Sequence, residues 1–248
     1  MSGMTTTNTA NTDPAVWADL RQVVLATTSP AEVAGELRAR LGLGRGFGDP
    51  ELAAFGIGDD TMAVGAHTYL EVVNPLTDEH PIAKWLARRG GSAGYLLSVQ
   101  VSDVDACLAR CEQAGVRVTV RHVVQGWNVA QLHPTDMGGS SVELDGLHER
   151  CRWFWDALDI DRPTTSLVDD VAAVDVAADD PAALLARWAQ VFGLDADTSA
   201  STLKLGGRLV RFLPANDHTG IVGVDLHAVN RAATGDEFTA GNVRFRVV

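Results

Sequence analysis

Tyr95-Leu-Leu-Ser-Val-Gln-Val101 and the following Ser102-Asp-Val-Asp-Ala-Cys-Leu-Ala-Arg-Cys-Glu-Gln-Ala-Gly115 form an apolar run, a polar turn and a helical stretch closed by glycine. The same order stands at Leu20-Arg-Gln-Val-Val-Leu-Ala26 with residues 29–42, and at Val171-Ala-Ala-Val-Asp-Val176 with residues 179–193. Ser29, Ser102 and Asp179 or Asp180 suit the free amides of a first helical turn. Pro30 and Pro181 suit that turn as well, and Gly42, Gly115 and Gly193 suit the left-handed position past its end. Val33, Leu37 and Leu41, like Leu184, Trp188 and Val191, keep helical spacing.

Short strand candidates follow each helix. They are residues 51–57, 62–66 and 68–73 in the first unit, and 117–124, 127–132 and 141–144 in the second. The third offers 201–205, 208–213, 220–228 and a last strand at 243–247. The repeating unit is strand–helix–strand–strand–strand, and Gln22, Leu96 and Ala173 hold equivalent places in its first strand. The fold class expected is α+β: βαβββ modules, two of them paired and a third appended and partly degenerate. Residues 1–18 are expected to be a disordered tail, 19–147 the paired modules, 148–166 a linker and 167–248 the third module. Arg150-Cys-Arg-Trp-Phe-Trp155 in the linker reads as a helix packing two modules together, with a ligand platform as the alternative.

Composition narrows the partners. The 248 residues carry a net charge of −12, with 46% hydrophobic and 21% charged residues, a globular balance. Such acidity disfavours nucleic acid, whose phosphates need clustered Lys and Arg, and disfavours anionic membrane surfaces. No apolar run reaches the roughly 20 residues of a spanning helix, and residues 1–11 lack the apolar core of a secretory signal. Three cysteines form no even framework; Cys107 and Cys111, four apart on a helix, read as core. A cytoplasmic, reduced protein is expected.

Certain residues break their surroundings. Glu71 interrupts the apolar strand Thr68-Tyr-Leu-Glu-Val-Val73, where a carboxylate is costly without a partner. Glu143 does the same in Ser141-Val-Glu-Leu144. His67, an even step from Glu71, is expected to share its face, and Tyr95, an odd step from Leu96, to point away. His133 ends a strand ahead of the turn Pro134-Thr-Asp-Met-Gly-Gly139, either bracing it or reaching a cavity mouth.

The chain resembles the vicinal oxygen chelate superfamily, the group of glyoxalase I, methylmalonyl-CoA epimerase, extradiol dioxygenases and bleomycin-resistance proteins. Gln22-Val-Val-Leu-Ala-Thr-Thr-Ser-Pro30, Tyr69-Leu-Glu-Val-Val-Asn-Pro75, residues 93–103 and the stretch from His133 to Leu144 carry the likeness. It implies an open, incomplete barrel from each module pair, with Gln22, Glu71 and Glu143 at metal-ligand positions and Leu96 where the family usually has His. A leucine cannot ligate, so three of four ligands remain. An all-oxygen set favours Mg or Mn, with Zn and Fe also left open. The expected function is a glyoxalase-like enzyme acting on a small carbonyl or oxygenated compound by isomerase, epimerase or lyase chemistry. Glu71 and Glu143 are the catalytic candidates, and His67 and His133 the substrate-binding ones. The alternative is a metal-free small-molecule binding or resistance protein. The resemblance also allows a homodimer.

Overall fold

The computed structural model describes residues 16–230, 232 and 234–248, so most of the expected tail lies outside the described residues. The first module comprises β1 (Ala18–Thr27), α1 (Pro30–Leu41), α2 (Pro50–Ala54), β2 (Ile57–Val64) and β3 (Thr68–Pro75). After α3 (Pro81–Ala87) the second runs through β4 (Ser92–Val101), α4 (Val104–Ala114), β5 (Val118–Val124), β6 (Trp127–Leu132) and β7 (Ser141–Asp145). The two form one seven-stranded sheet in the order β2-β3-β1-β4-β7-β6-β5. β1 and β4 lie antiparallel at its centre, each flanked by the parallel last strand of its own module.

Gly42, Gly115 and Gly193 close their helices with φ of 67°, as the repeat requires. The caps differ in detail: Asp103 and Asp180 accept amide bonds, whereas Ser29 makes no side-chain cap and Ser102 instead accepts from the Trp17 amide. Residues 51–57 are not a strand. Asp49 caps Glu51 and Pro50 opens α2 there, leaving the bridge of Phe47 to Thr61 where the second module has a full strand. Gly58-Asp59-Asp60 lies inside β2 and is not a turn.

The C-terminal half holds more than one module. β8 (Val168–Ala178), α5 (Pro181–Phe192), β9 (Ala196–Asp197), β10 (Thr202–Leu205) and β11 (Arg208–Pro214) already complete a βαβββ unit, since β11 closes parallel on β8. β12 (Gly220–Ala228) then pairs antiparallel with β8, as β4 does with β1. With β13 (Glu237–Ala240) and β14 (Val243–Val247) it makes a shortened fourth module. The second sheet runs β13-β14-β12-β8-β11-β10-β9.

One hydrophobic core serves both sheets. Leu25 and Val33 of the first module meet Gly241, between β13 and β14, and the Arg40 guanidinium lies over the Phe238 ring. Thus α1 covers the face of the fourth module, which has no α-helix among the described residues. Trp188 packs edge-on against Phe212 and donates to the Met137 carbonyl of the other half. At Gly94 an added Cβ would stand 2.6 Å from the Ile221 carbonyl, so β4 and β12 approach as only glycine permits. Cys107 and Cys111 are buried in this core. No helix among the described residues is long and apolar enough to cross a membrane.

Candidate active site

The face of the first sheet away from this shared core holds a cavity of about 360 Å³, and Gln22, Glu71, Leu96, Ser98, Gln131 and Glu143 are among its lining residues. Glu71 and Glu143 occupy matching places. Glu71 stands opposite Val24 on β1, and Glu143 opposite Ser98 on β4, its repeat equivalent.

Each carboxyl has its own partners. Gln22 donates its amide N–H to Glu71 Oε2 at 2.8 Å. Ser98 donates to Glu143 Oε1 at 3.1 Å and Gln131 to Glu143 Oε2 at 2.8 Å. Burial pushes the Glu71 carboxyl up to about 8, and the charges of Asp59, Glu143 and Asp49 add to this against the Gln22 hydrogen bond. Asp59 itself is pushed up to about 6, first by burial. Deeper in the cavity, Asp145 is fully buried, neither oxygen has a hydrogen-bond partner, and burial raises it well above the carboxylate range.

Two β-bulges bring further residues to this face. The shift between Leu20 and Gln22 leaves Arg21 unpaired in the ladder, buried beside the Trp153 ring. The shift between Val24 and Leu25 does the same for Tyr95 on β4. A bulge places two neighbouring residues opposite one, so strict alternation fails, and Tyr95 lines the cavity beside Leu96 instead of pointing away. Burial raises its hydroxyl to about 12, with Glu143 and Glu71 adding to the shift.

The aromatic segment of the linker is not an α-helix between modules. It folds over the open face by turns, and both Trp153 and Trp155 donate their indole N–H to Gln22 Oε1, at 3.0 and 3.2 Å. Arg150 anchors the segment through paired bonds to Asp19. Neither indole is signalled by periodicity; a cluster of tryptophans in a connection was the sole hint.

These contacts decide whether a cation fits. The carbonyl oxygen of Gln22 already accepts two bonds, and its N–H side faces Glu71. Turning the amide over would set its NH2 against two indole donors. Both Glu143 oxygens are taken as well. Among the described residues no group of three or more His, Cys, Asp or Glu side chains could hold a metal ion. The metal set expected from Gln22, Glu71 and Glu143 does not fit the geometry: Gln22 is a hydrogen-bond donor here and not a ligand. Replacing both Trp153 and Trp155 by Phe should free that oxygen, at a cost of roughly 1 kcal/mol per lost bond. Titration with Mn²⁺ is expected to show binding in the double variant and none in the wild type.

The two histidines fall elsewhere. His67 sits exposed in the turn ahead of β3, because the strand begins only at Thr68 and the alternation does not reach back to it. His133 Nδ1 accepts from the Thr135 amide and bonds Arg117, bracing its turn. It faces a neighbouring cleft of about 620 Å³ beside Trp85, Arg88 and Arg89, which meets the first cavity at Tyr95.

The element order and register are those of paired βαβββ modules closing on an open face. This is the arrangement that the resemblance to the vicinal oxygen chelate superfamily implies. No family model matches it. It is similar to an ethylmalonyl-CoA/methylmalonyl-CoA epimerase of Cereibacter sphaeroides, 31% identical over 83 residues, 32% of this chain and 62% of that one. The chain thus spans about six-tenths of the length of that curated relative. A methylmalonyl-CoA epimerase structure from Mycobacterium tuberculosis aligns at 27% identity and a TM-score of 0.45, over 51% of this chain and 86% of that one. A methylmalonyl-CoA epimerase in complex with methylmalonyl-CoA and NH4+ aligns at 23% identity and a TM-score of 0.44, over 52% and 94%.

Proposed function

We propose that the chain is an epimerase that removes and returns the proton on the carbon α to a carbonyl, the substrate being a small branched acyl thioester of coenzyme A. The observation that carries this reading is a pair of glutamates at equivalent places in one cavity with unlike surroundings, Glu71 kept in its acid form by burial and Glu143 held by two hydrogen-bond donors. Inverting a centre needs a base on one side of the carbon and an acid on the other. Glu143 takes the α-proton; the electron pair moves onto the thioester oxygen as an enolate. The Tyr95 hydroxyl, which keeps its proton across the working range, donates to that oxygen. Glu71 then delivers its proton to the opposite side, and exchange with solvent resets the two carboxyls. No step is routed through a metal, because the donor set does not fit one.

The cavity walls support a small acyl group: Val24, Val73 and Leu96 give it an apolar lining, which also keeps water from the enolate. The adjoining cleft with Arg88 and Arg89 has room for a longer anionic arm. The coenzyme A ester is taken from the similar ethylmalonyl-CoA/methylmalonyl-CoA epimerase.

Incubation with methylmalonyl-CoA in D2O tests the reading by NMR. Loss of the α-proton signal with deuterium uptake is expected, at a rate that dialysis against a chelator leaves unchanged. No exchange above the uncatalysed rate with either methylmalonyl-CoA or ethylmalonyl-CoA would sink it. Stabilisation by the ester without exchange would make the protein a ligand binder.

A further inference from the structure

The second sheet repeats the register of the first, so its residues can be matched one to one. Asp175 on β8 occupies the place of Val24, and Arg211 pairs with it as Glu71 pairs with Val24. On β12, Gly223 holds the place of Leu96 and Asp225 that of Ser98, while Arg246 stands opposite Asp225 as Glu143 stands opposite Ser98. Both glutamate positions of the first sheet have become arginines. Arg244, opposite Gly223, adds a third guanidinium.

These side chains lie on the face turned away from α5, whose core partners are the alternate residues Val174, Val210, Val224 and Phe245. Arg211 bonds Asp175 at 2.5 Å and Asp225 at 2.8 Å. Arg244 bonds Asp175 at 2.7 Å, and Arg246 binds Asp225 through both Nε and Nη2 at 3.1 and 2.6 Å. Gly223 leaves the room this needs: a Cβ there would stand 2.8 Å from Asp175 Oδ2 and 3.3 Å from Arg244 Nη2.

The carboxylates are buried beneath and the guanidiniums reach outward, with the Arg244 and Arg246 side chains 42% and 36% exposed. All four carboxylate oxygens are already engaged, yet Arg211 Nη2 and Arg244 Nε have no acceptor. Three positive charges face two negative ones. Farther out, register sets Lys204, Asp197 and Glu237 on the same face, so the surplus is local to the three guanidiniums in contact with Asp175 and Asp225. A protein of net charge −12 thus carries, on the second copy of its site, a cationic cluster with donors to spare.

We propose that this face of the second sheet is an oxyanion site, binding a small ligand through a carboxylate or phosphate group. An oxyanion supplies what the cluster lacks, one negative charge against three guanidiniums, and would meet it at the exposed outer edges of Arg244 and Arg246, in the fork geometry that guanidinium matches. The site is independent of the glutamate cavity and of the reaction proposed there.

Isothermal titration of the full chain with sodium phosphate, and separately with sodium succinate, tests this at ionic strength held constant with NaCl. Saturable binding of at least one ion is expected, weakened about tenfold or more in R244Q and in R246Q, since a charge-assisted bond is worth at least one decade of affinity. Binding of phosphate alone assigns a phosphate ligand, and of succinate alone a carboxylate. No saturable binding of either ion to the wild type overturns the site, as does binding that both variants leave unchanged. Should the variants fail to fold, the arginine Nε–H spectrum of the wild type carries the test. The Arg244 resonance is expected to move along the binding isotherm, and a resonance that stays put while the ion binds overturns the proposal.

Discussion

Replacing Glu71 by Gln is expected to lower the rate of epimerisation by about 10²–10⁴-fold, the usual worth of a positioned acid or base, with little change in KM. Glu143→Gln should cost as much, since either carboxyl alone can shuttle a proton on one side only. Wild-type epimerisation is expected to fall as pH rises through about 8, where Glu71 loses the proton it donates. The same group links pH to stability. Its folded pKa of about 8 lies above the ordinary 4.5, so the native state holds a proton that the unfolded chain releases. Stability from this group is therefore lost progressively as pH rises from about 4.5 to about 8. Glu71→Gln removes that penalty while keeping a carbonyl for the Gln22 amide. Urea denaturation should show the variant more stable than wild type by on the order of 4 kcal/mol at pH 9, and nearly equal at pH 4. A difference that does not change with pH would show that Glu71 titrates normally.

Trp188→Ala is expected to destabilise the whole protein by about 3–5 kcal/mol, the range for removing a large buried aromatic. Trp188 is 1% exposed, packs against Phe212 and Phe192, and donates to Met137 across the two halves. Because both sheets share one core, the loss should move a single cooperative transition, read alike by calorimetry and by near-ultraviolet circular dichroism. If the C-terminal half were an appended unit with its own core, melting would split in two and the first half would keep the wild-type midpoint.

The repeat, the helices with their closing glycines and most strand positions were legible because they rest on local chemistry: apolar periodicity, capping and the left-handed glycine. Glu71 and Glu143 stood out for the same reason, as carboxyls that an apolar strand tolerates only with partners. Four things were out of reach. The bulges at Arg21 and Tyr95 arise from pairing between strands far apart in sequence, and they reversed the face assigned to Tyr95. β12 reads locally like any fourth strand, and only its antiparallel pairing with β8 makes it the start of a new module. That module has no α-helix among the described residues, and α1 from the far end of the chain covers its face.

The fourth concerns the metal. The family resemblance made Gln22 a ligand candidate, but its chemistry depends on which side of its amide is free. Two indoles from the linker, 131 and 133 residues away, take the oxygen and leave the N–H for Glu71. The sequence by itself determined the first two modules, the opening of the third and the carboxyls the first two carry, because these follow from neighbours along the chain. Tertiary structure decided what those carboxyls can do, because hydrogen-bond partners and burial come from across it.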